Sequence, residues 1–310
     1  MMQLRCAGTG HVEFPNLFGG LKFSVSEEAF NIFGFGIQWY GLIIGAGLLL
    51  CVFLGMRACR HYGIDQDDLL DYLLFCVPAA VVGARLYYVV FNFDEFRNNL
   101  KQIFNIRSGG LAVYGGILAA MLVVFFVSKY KKQSFLKLMD FAAPYILLGQ
   151  GIGRWGNFFN QEAYGGPTTL PWGMTGNQIA VENIYNGLRA DTLVHPTFLY
   201  ESLWCLLGFA LLLWYRSRFK KADAECICLY MVWYGLERSL VEGLRTDSLY
   251  IGNTGIRVSQ LLSVILLLAG VVLFIVVRMR YNKKQATEGA LDPAQKTGFE
   301  GVKERLDAEE

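Results

Sequence analysis

Between Gly149 and Gly165 an apolar run ends, and Arg154, Asn157, Asn160, Gln161 and Glu162 follow within nine residues. Arg154 and Asn157 are three apart, so a continuous helix sets them on one face. A guanidinium and several carboxamides at the mouth of an apolar helix suit a phosphate headgroup. Four glycines, Gly149, Gly151, Gly153 and Gly156, leave room for close helix packing or for a ligand against the main chain. A second charged run places Arg238, Glu242 and Arg245 at i, i+4 and i+7, on a single helical face. A salt-bridge seam needs only two opposite charges. The surplus cation, added to Arg154, calls for an anionic partner that the chain does not supply.

Other polar groups stand inside apolar stretches, where an ionisable side chain is expensive unless paired or hydrated. They are Asp71, Arg85, Asp140 and Glu201. Asp71 and Asp140 have an equally good use as partners in interhelical ion pairs. Arg85 can anchor a phosphate or a neighbouring carboxylate. Tyr114 sits between paired glycines, which favour close packing or a turn that exposes the phenol. A buried tyrosine bonded to a carbonyl is the plainer alternative. Tyr40 follows Trp39 at the start of an apolar run, where it can anchor the chain at a membrane interface. His195 precedes Pro196 and can act as a base or as a hydrogen-bonded cap. The three histidines form no metal set, and Cys226 and Cys228 have no second ligand pair nearby. The seven cysteines read as small apolar fillers.

The elements that must position these groups are helices in a bilayer. The 310-residue chain is 54% hydrophobic and 17% charged, with several apolar runs of membrane length, which excludes an ordinary soluble domain. Seven spans are expected, at about 39–56, 69–91, 109–128, 138–157, 197–215, 225–243 and 257–277. The expected fold is therefore all-α, a polytopic bundle of seven transmembrane helices. Residues 1–38 lack the pattern of a signal peptide and are expected at or outside the interface. Residues 1–284 are expected to form one membrane domain, and 285–310 a polar, disordered tail. Basic residues mark alternate loops: Arg57 and Arg60; Lys129, Lys131, Lys132 and Lys137; Arg216, Arg218, Lys220 and Lys221; then Arg278 to Lys284. The N-terminus is therefore expected outside and the C-terminus in the cytoplasm. The chain shows no nucleic-acid footprint, dinucleotide fingerprint or Walker loop. It also shows no internal repeat of the kind many transporters carry.

Taken together, these segments resemble the prolipoprotein diacylglyceryl transferase family. The signature Gly-Arg-x-Gly-Asn-Phe-x-Asn-x-Glu is met by Gly153, Arg154, Gly156, Asn157, Phe158, Asn160 and Glu162, closing at Gly165. Supporting matches follow in family order: Trp39 to Gly41, Gly83 to Arg85, Asp140, Pro171 to Gly173, His195-Pro196 with Tyr200-Glu201, and Tyr234-Gly235 with Arg238 and Glu242. Their coverage is roughly residues 35–280.

The resemblance implies that phosphatidylglycerol donates its diacylglyceryl group to the lipobox cysteine thiol of a prolipoprotein. Glycerol-1-phosphate is released at the outer leaflet of the bacterial cytoplasmic membrane, and no metal or organic cofactor is expected. The implied catalytic residues are Arg154, Arg238, Tyr114 and Glu242. Tyr40, Arg85, Asn157, Asn160, Glu162, His195 and Arg245 are the expected substrate contacts. Tyr114 stands where many members have a histidine, and a phenol is a poorer base than an imidazole at neutral pH. The identity of the base therefore stays open. The rival reading is a transporter or flippase for an anionic lipid or solute, which buried arginines would also serve.

Overall fold

The computed structural model describes residues 10–106, 109–245 and 257–290. Its helices are α1 (Trp39–Cys59), α2 (Gln66–Phe91), α3 (Phe93–Phe96), α4 (Val113–Tyr130), α5 (Phe135–Asn160), α6 (Asn177–Tyr185), α7 (Thr197–Arg218), α8 (Glu225–Leu244) and α9 (Val258–Ala290). Five of them are long and apolar enough to cross a membrane: α1, α2, α4, α7 and α9. With 26 and 20 residues, α5 and α8 match them in length but carry the charged residues singled out above. The protein is a mostly helical membrane protein.

Local chemistry sets the helix ends. Asp65 caps α2 by accepting from the Asp67 N–H, and Ser134 caps α5 by accepting from the Lys137 N–H. Gly109 and Gly110, at φ +84° and +71°, keep the chain out of helix until Val113, four residues later than the apolar pattern suggested. Gln161 ends α5 in the left-handed conformation, φ +50°. Its side-chain Oε1 then accepts from the Gln178 N–H at 3.0 Å, tying the end of α5 to α6. At the other extreme α9 continues to Ala290, so the first six residues of the expected disordered tail, 285–290, are helical; residues 291–310 lie outside the described residues.

The all-α expectation needs correcting at the N-terminus. Residues 10–38 form four strands, β1 (Gly10–Phe14), β2 (Leu21–Val25), β3 (Glu28–Ile32) and β4 (Phe35–Gln38). With β5 (Thr175–Gly176), β1 and β2 make an antiparallel sheet of order β2-β1-β5, while β3 and β4 form a separate hairpin. The sheet buries Val12, Phe14 and Val25 against Phe158 of α5, Phe198 of α7, and Tyr164, Met174, Ile179 and Val194 between them. This small head sits over the end of the bundle where α5 finishes and α7 begins.

Within the bundle α5 is the central helix, packed on α1, α7 and α8, while α2 pairs with α4 and α8 with α9. Small residues permit the close contacts: Gly151 lies against α7 and Gly235 against the α9 backbone. At the end away from the head, two of the acids that the sequence sets in apolar stretches find partners. Asp140 accepts from the Ile227 N–H at 2.9 Å and pairs with Lys220 at 2.9 Å. Asp71 shares Lys131 with Asp68. The six described cysteines are free thiols.

Candidate active site

Three helices bring the principal charges together just beneath the head. Arg154 projects from the last turns of α5, Glu201 from the first turn of α7, and Arg238 and Glu242 from one face of α8. Glu201, 1% exposed, is the shared acid. One of its oxygens pairs with Arg154 Nε and the other accepts from Arg238 Nη1 at 3.1 Å. Arg238 Nη2 donates to Glu242 at 2.7 Å, the i,i+4 contact expected on α8. Arg238 is thus held by two carboxylates through both terminal nitrogens. Arg154 is held by one through Nε, and among the described residues its two terminal nitrogens have no partner. Buried ion pairs of this sort need excellent geometry to offset desolvation, which explains why two bases and two acids are clustered rather than scattered.

Polar groups surround this core. Asn157, one turn beyond Arg154, is buried, and its carboxamide makes no hydrogen bond among the described residues. Asn160 donates to Glu162 at 3.0 Å. Tyr40, in the first turn of α1, lies within electrostatic reach of both Glu162 and Arg154. Its ring packs on Gly156, where a Cβ would come within 2.5 Å of Tyr40 Cδ2. One turn below Arg154, Gln150 donates to the Tyr230 hydroxyl at 3.1 Å, and Tyr230 stacks on Tyr234 at 5.8 Å. Behind Arg154, Trp155 donates to the Ser202 hydroxyl at 3.2 Å and locks α5 to α7. Gly153 has no atom within 4 Å of an added Cβ, so one side of the signature helix beside Arg154 is open.

Other residues marked in the sequence lie around this cluster. Tyr114 begins α4 with 54% of its surface exposed, and Tyr234 is within electrostatic reach of it. Arg85 is buried and commits every donor to main-chain carbonyls. Nε reaches Ile103 at 2.9 Å, Nη1 reaches Gly109 at 2.7 Å and Gly110 at 2.9 Å, and Nη2 reaches Gln102 at 2.7 Å and Asn105 at 3.0 Å. Neither use left open for Arg85, phosphate or carboxylate, is the one observed. His195 belongs to the head: its main chain bridges to Gly165 and Gly166, and Nδ1 lies 3.3 Å from the Tyr200 hydroxyl, which also accepts from Trp172 at 2.6 Å. Arg245 does not continue the charged face of α8. The helix stops at Leu244, and Arg245 is extended (φ −74°, ψ 147°), paired with Gly165.

Glu201 is the residue whose role the sequence underplayed. Its signal was a carboxylate inside an apolar span; what no spacing rule could show is that it serves two arginines from two other helices. Glu237, buried on α8 with the Cys205 thiol 3.7 Å away, was likewise overlooked.

The fold and site define a helical membrane protein with an arginine–carboxylate cluster under a small β-sheet head. The family model for prolipoprotein diacylglyceryl transferase matches residues 27–276, and the chain belongs to that family. Curated relatives named phosphatidylglycerol–prolipoprotein diacylglyceryl transferase agree. The one from Finegoldia magna is 46% identical over 260 residues, 84% of this chain and 97% of the relative. That from Clostridium kluyveri is 46% identical over 252 residues, covering 81% and 96%. The Enterococcus faecalis relative is 43% identical over 262 residues, covering 84% and 93%. These names favour the transferase reading over the transporter one.

Proposed function

We propose that this protein transfers the diacylglyceryl group of phosphatidylglycerol to the lipobox cysteine thiol of prolipoproteins, the first lipid attachment in bacterial lipoprotein maturation. The sulfur, as thiolate, attacks the sn-3 carbon of the diacylglyceryl group. The carbon–oxygen bond to phosphate breaks, its electron pair stays on the phosphate oxygen, and glycerol-1-phosphate leaves. The thiol proton goes to a base or to water.

One observation carries the assignment of roles. Arg154 offers the terminal edge of its guanidinium beside the unpartnered carboxamide of Asn157, in a partly closed, low-dielectric setting. That edge is a two-pronged donor matched to phosphate, and it gains strength where water is excluded. Glu201 orients it, while Arg238, with Glu242, holds Glu201 and contributes positive potential toward the departing phosphate. Asn160, Glu162 and Tyr40 form the wall nearest the head, suited to the glycerol hydroxyls. Arg85 positions the segment that leads into α4, and His195 and Arg245 shape the head above the cluster.

The membrane placement follows the same reading. With α5 and α8 counted, seven helices span the bilayer, and the charged residues that lower their hydropathy are the site itself. Arg57, Arg60, Lys129, Lys131, Lys137, Arg216, Lys220 and Arg278 all lie at the end away from the head. By the positive-inside rule that end is cytoplasmic. The head and the site then face the outer leaflet of the cytoplasmic membrane, with the N-terminus outside and the C-terminus inside.

Purified protein given phosphatidylglycerol and a lipobox peptide should release glycerol-1-phosphate only when the peptide carries its cysteine. Arg154→Ala should lower that release about 10²-fold or more while the protein stays folded, and Arg154→Lys should recover little, since a point charge lacks the fork. A folded Arg154→Ala protein with parental turnover would remove Arg154 from the reaction.

A further inference from the structure

Arg216, in the last turn of α7, is a cation that the transfer reaction leaves unexplained. Its guanidinium lies over three rings, 4.4 Å from the Tyr62 centroid, 5.5 Å from that of Tyr145 and 5.8 Å from that of Phe141. Stacking of this kind holds a guanidinium by its flat faces and leaves the N–H edge for a partner in its plane. That edge is barely used. Nη1 donates to the Phe141 carbonyl and Nη2 to the Tyr145 hydroxyl, both at a long 3.3 Å, and Nε has no partner among the described residues. The neighbouring acids are taken: Lys220 pairs with Asp140 and Asp223, and Arg278 with Glu225. Arg216 is half-buried, and a charge so placed is costly unless an anion reaches it.

The turn that follows α1 brings further cations to the same place. Arg60, His61 and Tyr62 form a short helical turn that Gly63 closes at φ +59°. Lys137, in the first turn of α5, lies against it: a Cβ on Gly63 would stand 3.3 Å from Lys137 Nζ. Lys137 makes no ion pair among the described residues, and Arg60 bonds the Gln66 carboxamide at 3.0 Å. Asp65, the nearest acid in sequence, caps α2. Tyr62 and Arg216 close two of the apolar helical segments long enough to cross a membrane, Trp39–Tyr62 and Thr197–Arg218. In a bilayer they stand at headgroup depth, where the exposed pair Trp214 and Phe219, in edge contact at 4.9 Å, is also at home. Along α5, Phe141 is about 20 Å from Arg154 at about 1.5 Å per residue, so one phosphate cannot serve both arginines.

We propose that Arg216, with Lys137 and Arg60 beside it, binds the phosphate of an anionic phospholipid in the leaflet at the end away from the head. The three rings orient the guanidinium, the phosphate oxygens take its open edge, and Lys137 adds a point charge. This is a second phospholipid site, apart from that of the donor lipid. It requires α1 and α7 to cross a bilayer and is independent of the transfer reaction.

The test is native mass spectrometry of the full chain in detergent, titrated with phosphatidic acid, with phosphatidylcholine of the same acyl chains, and with inorganic phosphate. Every arm carries Arg154→Ala, which removes the main phosphate donor of the other site. This protein should retain a phosphatidic acid that phosphatidylcholine does not displace. Adding Arg216→Gln should weaken that binding about tenfold or more, the loss expected when charge-assisted hydrogen bonds go. Lys137→Gln should weaken it by a smaller factor, and decides the matter if Arg216→Gln folds poorly. Affinity unchanged by Arg216→Gln, or by Lys137→Gln where the first does not fold, would overturn the proposal. So would equal binding of phosphatidylcholine, because acyl chains rather than anionic charge would then be recognised. Displacement of the lipid by inorganic phosphate at equal concentration would also overturn it, by making free phosphate the ligand.

Discussion

A guanidinium has five N–H donors, and those the protein leaves unused decide whether it can hold a phosphate. Arg85, Arg238 and Arg154 all looked alike in the sequence, as cations inside apolar stretches. The structure separates them by partner: Arg85 is fully bound to carbonyls, Arg238 to two carboxylates, and Arg154 to one carboxylate through Nε alone. That cations would be needed here was legible, because a charge in hydrocarbon demands a reason. Which cation keeps donors unused was not, since it depends on Glu201, distant in sequence from both Arg154 and Arg238, and on the carbonyls of Gln102, Ile103, Asn105, Gly109 and Gly110 that close on Arg85. Tyr114 poses a related question. Its hydroxyl makes no hydrogen bond among the described residues and stands exposed at the start of α4. If it takes part in moving the thiol proton, Tyr114→Phe should lower kcat about 10²-fold with little change in folding. A kcat near the parent's, measured by glycerol-1-phosphate release, would assign the proton to another group.

At the scale of elements, apolar run length located the seven long helices among the described residues; most ends moved by a few residues where caps or positive-φ glycines intervened, while α9 ran on well past its apolar stretch to Ala290. The strands escaped notice because each is short, and β1 is completed by β5, which lies more than 160 residues along the chain. α5 shows how glycine spacing divides its work. Gly156 admits the Tyr40 ring, whereas Gly153 touches nothing within 4 Å of an added Cβ. Alanine is otherwise favoured over glycine in a helix by roughly 1 kcal/mol. Gly153→Ala should therefore leave thermal stability unchanged or raise it. Gly156→Ala must move an aromatic ring and should cost about 1–3 kcal/mol from overpacking. It should also depress turnover, because Tyr40 is displaced from beside Glu162 and Arg154. Thermal unfolding in detergent, read alongside product release, checks both. Equal stability for the two variants would show that the Tyr40–Gly156 contact does not constrain the helices.

The whole molecule joins two bodies, and the joint lies away from the chemistry. α2 and α4 pack chiefly on each other, and at the head end Leu86, Val90, Tyr114 and Leu118 are exposed. At the opposite end a cluster around Cys59, Ile64, Tyr72, Leu138 and Phe141, with Val124 and Val127 of α4 against it, connects the pair to α1 and α5. There Lys131 binds Asp68 at 2.5 Å and Asp71 at 2.7 Å, Gln133 also bonds Asp68, and Tyr72 donates to Gln133 at 3.0 Å. The Asp68 and Asp71 carboxylates hold the Lys131 ammonium above its ordinary lysine range. A folded pKa raised in this way contributes stability that is fully present below the unfolded value of about 10.4 and lost only as pH rises through the folded one. The clasp should thus be constant across neutral pH and weaken in salt, because the groups are partly exposed. Lys131→Met would leave two carboxylates one helical turn apart without their cation. α4 is 18 residues long, so Tyr114 stands about 25 Å from this clasp at about 1.5 Å per residue. If the joint fixes how α4 faces α5 and α8, Lys131→Met should lower both melting temperature and turnover, with Lys131→Arg restoring them. Parental turnover in a Lys131→Met protein with a reduced melting temperature would mean that the far-end clasp stabilises the bundle without setting the site.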